Sequence, residues 1–286
     1  KIRRLGGVWQ PISSDLIELS TDKTRATLLL ELTAQASFQI AAQPLMVTSD
    51  YKDWLEQIDS KSGVTVTSVG VTPELRPLYR FITEPREETL LVLGRQHPPE
   101  TTGATALRAF VERLLEADEL AGKFRSRVMI LGYPLVNPDG VDRGHWRHNT
   151  RGADLNRDWG PFQQVENQLI IQDIVAVLDE KKSGLIKALD FHSTLYDVMY
   201  TQPDNTAKVR PSLLGDWMIE FDSKMRGLST GFELRREDSY NPEGTTAKTF
   251  FFQKYGVAST TFEIGDNTPN DFIELYARTA AETLMS

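Results

Sequence analysis

The chain has 286 residues, 40% of them hydrophobic and 25% charged, the balance of an ordinary globular protein with one large domain or two small ones. Its 32 basic and 40 acidic side chains leave a formal charge of −8 and a pI near 5.2, which argues against nucleic acid or an anionic membrane surface as the main partner. There is no cysteine, which excludes disulfides, thiolate catalysis and thiolate metal ligands, and no window approaches the ~18 consecutive apolar residues of a membrane span.

In chain order, residues 1–44 read as a β-rich segment. Val8–Leu19 and Thr27–Ile40 alternate like strands, with Asp22-Lys23 as the turn between them. Two or three strands do not make a stable independent domain, so this segment is expected to be the remnant of a β-sandwich domain, with a boundary at Gln43-Pro44. Residues 45–286 then form the main domain. Tyr51–Ile58 reads as a short amphipathic helix, and Val64–Val71, Leu78–Thr83 and Thr89–Leu93 as strands. A helix over Ala104–Leu120 places Leu107, Phe110, Val111, Leu114 and Leu115 on one face. Arg127–Leu131 is a strand that ends in a turn at Asn137-Pro138-Asp139-Gly140. Helices follow over Val165–Leu178, Ser212–Met225 and Asp271–Leu284. Strands alternating with helices predict an α/β fold, with a mixed, mostly parallel central sheet covered by helices on both faces.

Three pieces of this pattern carry metal chemistry. His97-Pro98-Pro99-Glu100 supplies an imidazole and a carboxylate three residues apart, held in a rigid turn by the prolines. His192 follows the apolar run Leu185–Leu189, and Glu263 follows Ala258–Phe262. Two imidazoles and one carboxylate make the donor set of a catalytic zinc site with an open position, and a separate carboxylate acts on water there. If the apolar runs are parallel strands, all three pieces project from one edge of the sheet, where open α/β sheets build their sites. Asp190 reads either as a structural group or as a carboxylate that orients a metal-bound imidazole. Between Val141 and Arg157 four arginines stand against two aspartates in an acidic protein, and their guanidinium groups suit a carboxylate pocket. His145 and His148 read as loop residues rather than as a second metal pair.

Taken together, His-Pro-Pro-Glu, Asn-Pro-Asp-Gly, Trp-Arg with Asp-Leu-Asn-Arg, Asp-Phe-His-Ser-Thr and Thr-Phe-Glu-Ile-Gly resemble, in this order, the motifs of M14 zinc carboxypeptidases. The resemblance is strongest to the cytosolic carboxypeptidase-like branch, which includes bacterial members, and it covers roughly residues 45–286. It implies a zinc carboxypeptidase-like fold and hydrolysis of the C-terminal peptide bond of peptides or proteins. It implies one Zn²⁺ held by His97, Glu100 and His192, with Asp154 orienting a ligand imidazole, His97 by preference. Glu263 matches the general base, Arg147 the arginine that polarises the scissile carbonyl, and Asn156 with Arg157 the pair that holds the substrate α-carboxylate. Tyr240, 23 residues before Glu263, is the candidate for the tyrosine that closes over substrate. Lys248, 15 residues before Glu263, falls at the side-chain pocket and suggests a preference for acidic C-terminal residues. Pro99 stands where many secreted members carry an arginine, so one carboxylate contact of those relatives is missing. An N-acyl-amino-acid amidohydrolase of the aspartoacylase type is the competing reading, because it shares H-x-x-E, a later His and a base Glu. Asn-Pro-Asp-Gly and Trp-Arg favour the peptidase. No basic-then-apolar leader opens the sequence, and a cytoplasmic location is expected.

Overall fold

A computed structural model describes residues 1–31, 33–61 and 63–286, and the chain divides into two compact units, Lys1–Met46 and Val47–Ser286. In the first unit β1 (Ile2–Arg4) pairs antiparallel with β4 (Phe38–Ile40), and β2 (Ile17–Leu19) pairs with β3 (Ala26–Leu28). The strands expected over Val8–Leu19 and Thr27–Ile40 shrink to three-residue ladders; Leu32, inside the second, lies outside the described residues. None of the unit's described side chains is fully buried, so alternation has no core face to satisfy and pairing stays short.

The second unit follows the α/β pattern. Its elements are α1 (Thr48–Asp59), β5 (Val64–Val71), β6 (Pro77–Thr83), β7 (Glu88–Gly94), α2 (Thr101–Leu114), α3 (Glu119–Arg125), β8 (Val128–Tyr133), α4 (Pro138–Arg143), α5 (Val165–Lys181), β9 (Gly184–Thr194), β10 (Val198–Tyr200), α6 (Leu213–Leu228), β11 (Arg236–Glu237), α7 (Ala247–Tyr255), β12 (Ala258–Gly265) and α8 (Asn270–Met285). One mixed eight-stranded sheet runs β11-β10-β12-β9-β7-β8-β6-β5. Its centre, β12-β9-β7-β8, is parallel. Alternate residues of the central strands enter separate cores. Leu90 and Val92 pack with α2, α6 and α8 on one face, while Leu91 and Leu93 pack with α5 and α7 on the other. Burial on both faces explains why these strands read as continuous apolar runs.

Two expectations need correction. The helix expected over Ala104–Leu120 is broken after Leu114, because Asp118 caps a new helix by accepting the Ala121 amide at 2.9 Å. Asn137-Pro138-Asp139-Gly140 is not a plain turn but the start of α4. The Asn137 side chain caps the Gly140 amide at 3.0 Å, and Pro138 takes the first helical turn, where its missing N–H costs nothing.

Helix α2 lies unusually close to β9, which sets the position of His192. A Cβ added at Gly103 would lie 2.2 Å from the His192 carbonyl oxygen. The Gly103 amide also donates to Ser193 Oγ at 2.8 Å. Gly103→Ala is therefore expected to push α2 off the strand, costing about 1–3 kcal/mol as overpacking does. Thermal unfolding of the two proteins side by side reads this; an unchanged Tm would mean that α2 has room to move.

Candidate metal centre and substrate cleft

The parallel strands β7, β9 and β12 end at one edge of the sheet. His97 follows three residues after Gly94, the last residue of β7. His192 and Glu263 lie within the last turns of pleat of β9 and β12 rather than beyond them, and they sit side by side in register. A shift of one residue in that pairing would turn one of the two to the opposite face.

Glu100 joins the two rings. Its Oε1 lies 2.7 Å from His97 Nδ1 and its Oε2 lies 2.7 Å from His192 Nδ1. Donor atoms of the three residues all fall within 4.8 Å of one another. The far side of each ring is held by a carboxylate. His97 Nε2 is 3.0 Å from Asp154 Oδ1, and His192 Nε2 is 2.8 Å from Asp190 Oδ2. Each carboxylate takes a ring proton on Nε2, which leaves both Nδ1 atoms turned inward, hydrogen-bonded to Glu100 in the metal-free protein and placed to bind a metal once they give up their protons. Two neutral imidazoles and one carboxylate, oriented from behind, fit a zinc ion at the position that Glu100 now bridges.

Electrostatics follow from this arrangement in the metal-free protein. Burial lowers the pKa of both imidazoles, but the hydrogen bonds to Asp154 and Glu100 overcome it and leave His97 raised. Asp190 and Glu100 hold His192 well above its ordinary value in the same way, again against burial. Burial pushes Glu100 up, yet the two rings beside it bring it down to about 2. Asp154 is likewise held well below the carboxylate range, against burial, by His97 and Arg147. Glu263 goes the other way. Burial, with Glu100 nearby, pushes it up to about 7, although the two imidazoles pull it down. Its Oε2 is buried with no hydrogen-bond partner among the described residues.

His97, Glu100, His192 and Glu263 line a cavity of about 200 Å³ that also takes in Arg147, Asn156, Arg157, Tyr240 and Lys248. The sequence-expected ligand, base and substrate-binding residues thus meet in one place, with Asp154 behind His97. Arg147 donates through Nε to Asp154 Oδ2 at 2.8 Å. Asn156 Oδ1 accepts the Ala247 amide at 2.9 Å, which turns its amide nitrogen toward His192. Arg157 donates to the Asn156 carbonyl at 2.8 Å and, among the described residues, forms no ion pair. Tyr240 is 52% exposed and stacks on Tyr200 with ring centroids 4.5 Å apart, so it sits at the mouth. Lys248 is buried, and its ammonium donates to the Tyr240 carbonyl at 2.9 Å with no carboxylate beside it; burial lowers its pKa to about 8. His145 and His148 stay outside the cavity, and His145 Nδ1 contacts the His148 carbonyl at 3.1 Å. Asp190 was left open by the sequence, yet a signal existed: residues i and i+2 of a strand share a face, so a β9 that includes His192 must point Asp190 the same way. Gln96, which bonds Asp190 at 2.7 Å, carried no such signal.

The zinc carboxypeptidase (peptidase M14) family model matches residues 51–177, a span that holds His97, Glu100, Arg147, Asp154, Asn156 and Arg157. An uncharacterized protein of Zymomonas mobilis is 29% identical over 143 residues, covering 50% of this chain and 37% of that protein. Cytosolic carboxypeptidase 4 of Mus musculus is 31% identical over 131 residues, 45% of this chain and 11% of the mouse protein. The chain therefore spans only about a third and a tenth of the length of these relatives. Among solved structures, a metallo-carboxypeptidase from Burkholderia cenocepacia superposes with a TM-score of 0.71 at 20% identity, over 87% of this chain and 70% of that one. A metallo-carboxypeptidase from Pseudomonas aeruginosa, in complex with (2-guanidinoethylmercapto)succinic acid, gives 0.72 at 18% identity, over 94% of this chain and 75% of that one. The match to the zinc carboxypeptidase family model, M14, covers residues 51–177, and it agrees with the fold shared with solved metallo-carboxypeptidases and with the converged His-Glu-His donor set.

Proposed function

We propose that this chain is a zinc-dependent metallocarboxypeptidase that removes the C-terminal residue of peptides or proteins. The observation that supports it most is Glu100 spanning both Nδ1 atoms at 2.7 Å, with the partner-free Oε2 of Glu263 at the same cavity. His97, Glu100 and His192 would hold one Zn²⁺, which supplies a Lewis acid and lowers the pKa of water bound to it. Asn156 and Arg157 take the free α-carboxylate of the terminal residue, and an internal peptide bond offers no such group. Arg147 donates to the scissile carbonyl oxygen, where negative charge develops. Glu263 accepts the proton of the attacking water and later returns one to the leaving amine. Tyr240, exposed at the mouth, closes over the bound residue.

Mass spectrometry of a peptide ladder tests this reading. Residues should leave one at a time from the carboxyl end, a chelator should stop release, zinc should restore it, and a C-terminal amide should protect the peptide. Turnover of an N-acetylated amino acid without turnover of peptides would favour the amidohydrolase instead.

Lys248 supports a preference for acidic terminal residues. It is a buried ammonium at the cavity wall without a counter-ion among the described residues, and a terminal Glu or Asp side chain would supply one. A hydrogen bond to a charged group is worth about 1.5–3 kcal/mol, so peptides ending in Glu should be cleaved about 10- to 100-fold faster than matched peptides ending in Phe. The preference should weaken as pH rises past about 8, where Lys248 loses its proton. Lys248→Met should erase it. Equal rates for Glu, Phe and Lys termini in the parent chain would remove Lys248 from this role.

A further inference from the structure

We propose that Gln96 and Trp159 are positioning residues that hold the His192 ring ready for metal, acting through Asp190; the inference rests on reading His192 as a zinc ligand. Trp159 Nε1 lies 2.9 Å from Gln96 Oε1. An indole N–H only donates, so the Gln96 carbonyl must face it and the orientation of the amide is decided. The Gln96 amide nitrogen then donates to Asp190 Oδ2 at 2.7 Å. That same oxygen lies 2.8 Å from His192 Nε2. Asn156 offers no competing acceptor, because the Ala247 amide occupies its oxygen at 2.9 Å. A ring proton of His192 therefore sits on Nε2, and Nδ1, which faces Glu100, is the atom left to take the metal.

The chain of contacts is buried. Gln96 is 0% exposed, Trp159 1%, His192 1% and Asp190 2%. Asp190 Oδ1 has no hydrogen-bond partner among the described residues. The carboxylate is thus aimed by two donors on a single oxygen, and loss of the Gln96 donor leaves a buried charge free to swing away from the ring. Both ends of the relay are anchored. Asn137 Nδ2 donates to the Gln96 backbone carbonyl at 3.0 Å, and the Trp159 ring packs against Phe162, Phe250 and Phe251. Trp159 also donates its backbone amide to the Thr245 carbonyl at 3.2 Å, at the entrance to the helix that carries Lys248. The wall of the substrate cavity and the metal ligand are in this way tied by four consecutive side chains.

Metal affinity of the metal-free protein is the readout, measured by competition with a chromophoric chelator, together with the visible spectrum of the Co²⁺-substituted protein. Gln96→Met keeps volume and removes both hydrogen bonds. It should weaken zinc by about 10- to 100-fold, the usual cost of losing an outer partner of a ligating imidazole, and should alter the Co²⁺ bands. Trp159→Phe removes only the indole donor and should weaken zinc less and in the same direction. The double variant should lose little more than Gln96→Met alone, since the two act through one path. A folded Gln96→Met with wild-type affinity and spectrum overturns the proposal, and should that variant not fold, an unchanged Trp159→Phe does so. Failure of the wild-type chain to bind zinc would instead overturn the assignment of His192 itself.

Discussion

Replacing Glu263 by Gln is expected to leave zinc bound and to lower the rate of C-terminal residue release by at least about 100-fold. The amide keeps the shape of the carboxylate and loses its basicity. Glu263 also makes an unusual demand on the fold, since burial pushes its pKa up to about 7 and one of its oxygens has no partner. A carboxyl group whose folded pKa exceeds its unfolded value binds more protons folded than unfolded between the two values, so it erodes stability as pH rises from about 4.5 to about 7. Glu263→Gln removes that burden. The metal-free variant should be more stable than its parent at pH 7–8, by on the order of 1–3 kcal/mol, with the gain vanishing below about pH 4.5. Activity of the parent should fall in acid, where the carboxylate is protonated. An inactive variant that is no more stable would make Glu263 a catalytic group without strain; an active one would remove it from the chemistry.

Glu100→Ala has the second large effect. It removes the group that lies 2.7 Å from both inward imidazole nitrogens, so zinc affinity should fall by more than the about 10- to 100-fold of an outer-partner loss, and activity with it. The metal-free proteins should also differ in their response to pH. Glu100, lowered from 4.5 to about 2 by the rings, contributes stability that is present above about pH 4.5 and is lost as pH falls toward 2. His97 and His192, both raised above 6.5, contribute stability that is complete below pH 6.5 and is lost as pH climbs through their raised values. Because Glu263 erodes stability above about pH 4.5, the metal-free parent should be most stable near pH 4.5, and its Tm should drop as pH rises from there through the raised values of the imidazoles. Without Glu100 that slope should flatten. Identical slopes for the two proteins would show that Glu100 does not set the titration of the imidazoles, leaving it to Asp154 and Asp190.

Much of the site was legible because its parts are marked locally. His97 and Glu100 are three residues apart on a proline-stiffened turn, and His192 and Glu263 each follow an apolar run. Helices such as Asn270–Met285 announce themselves through a repeating apolar face. Local reading failed where a side chain overrode the pattern, as Asp118 did in starting α3 and Asn137 in starting α4. It also overextended the strands of the first unit, whose alternation has no core to face.

The sequence by itself determined the α/β alternation, the donor types of the metal site and the basic stretch beside it. Each of those is a property of neighbours within a few residues, where spacing and residue chemistry suffice. Only the tertiary structure decided that Glu263 stands in register beside His192, that both imidazoles turn Nδ1 inward, and that Trp159, Gln96 and Asp190 line up behind one of them. Those contacts join residues far apart in the chain. They are selected by the pairing of buried strands and by the need of each buried polar atom for a partner, and neither leaves a mark on local spacing.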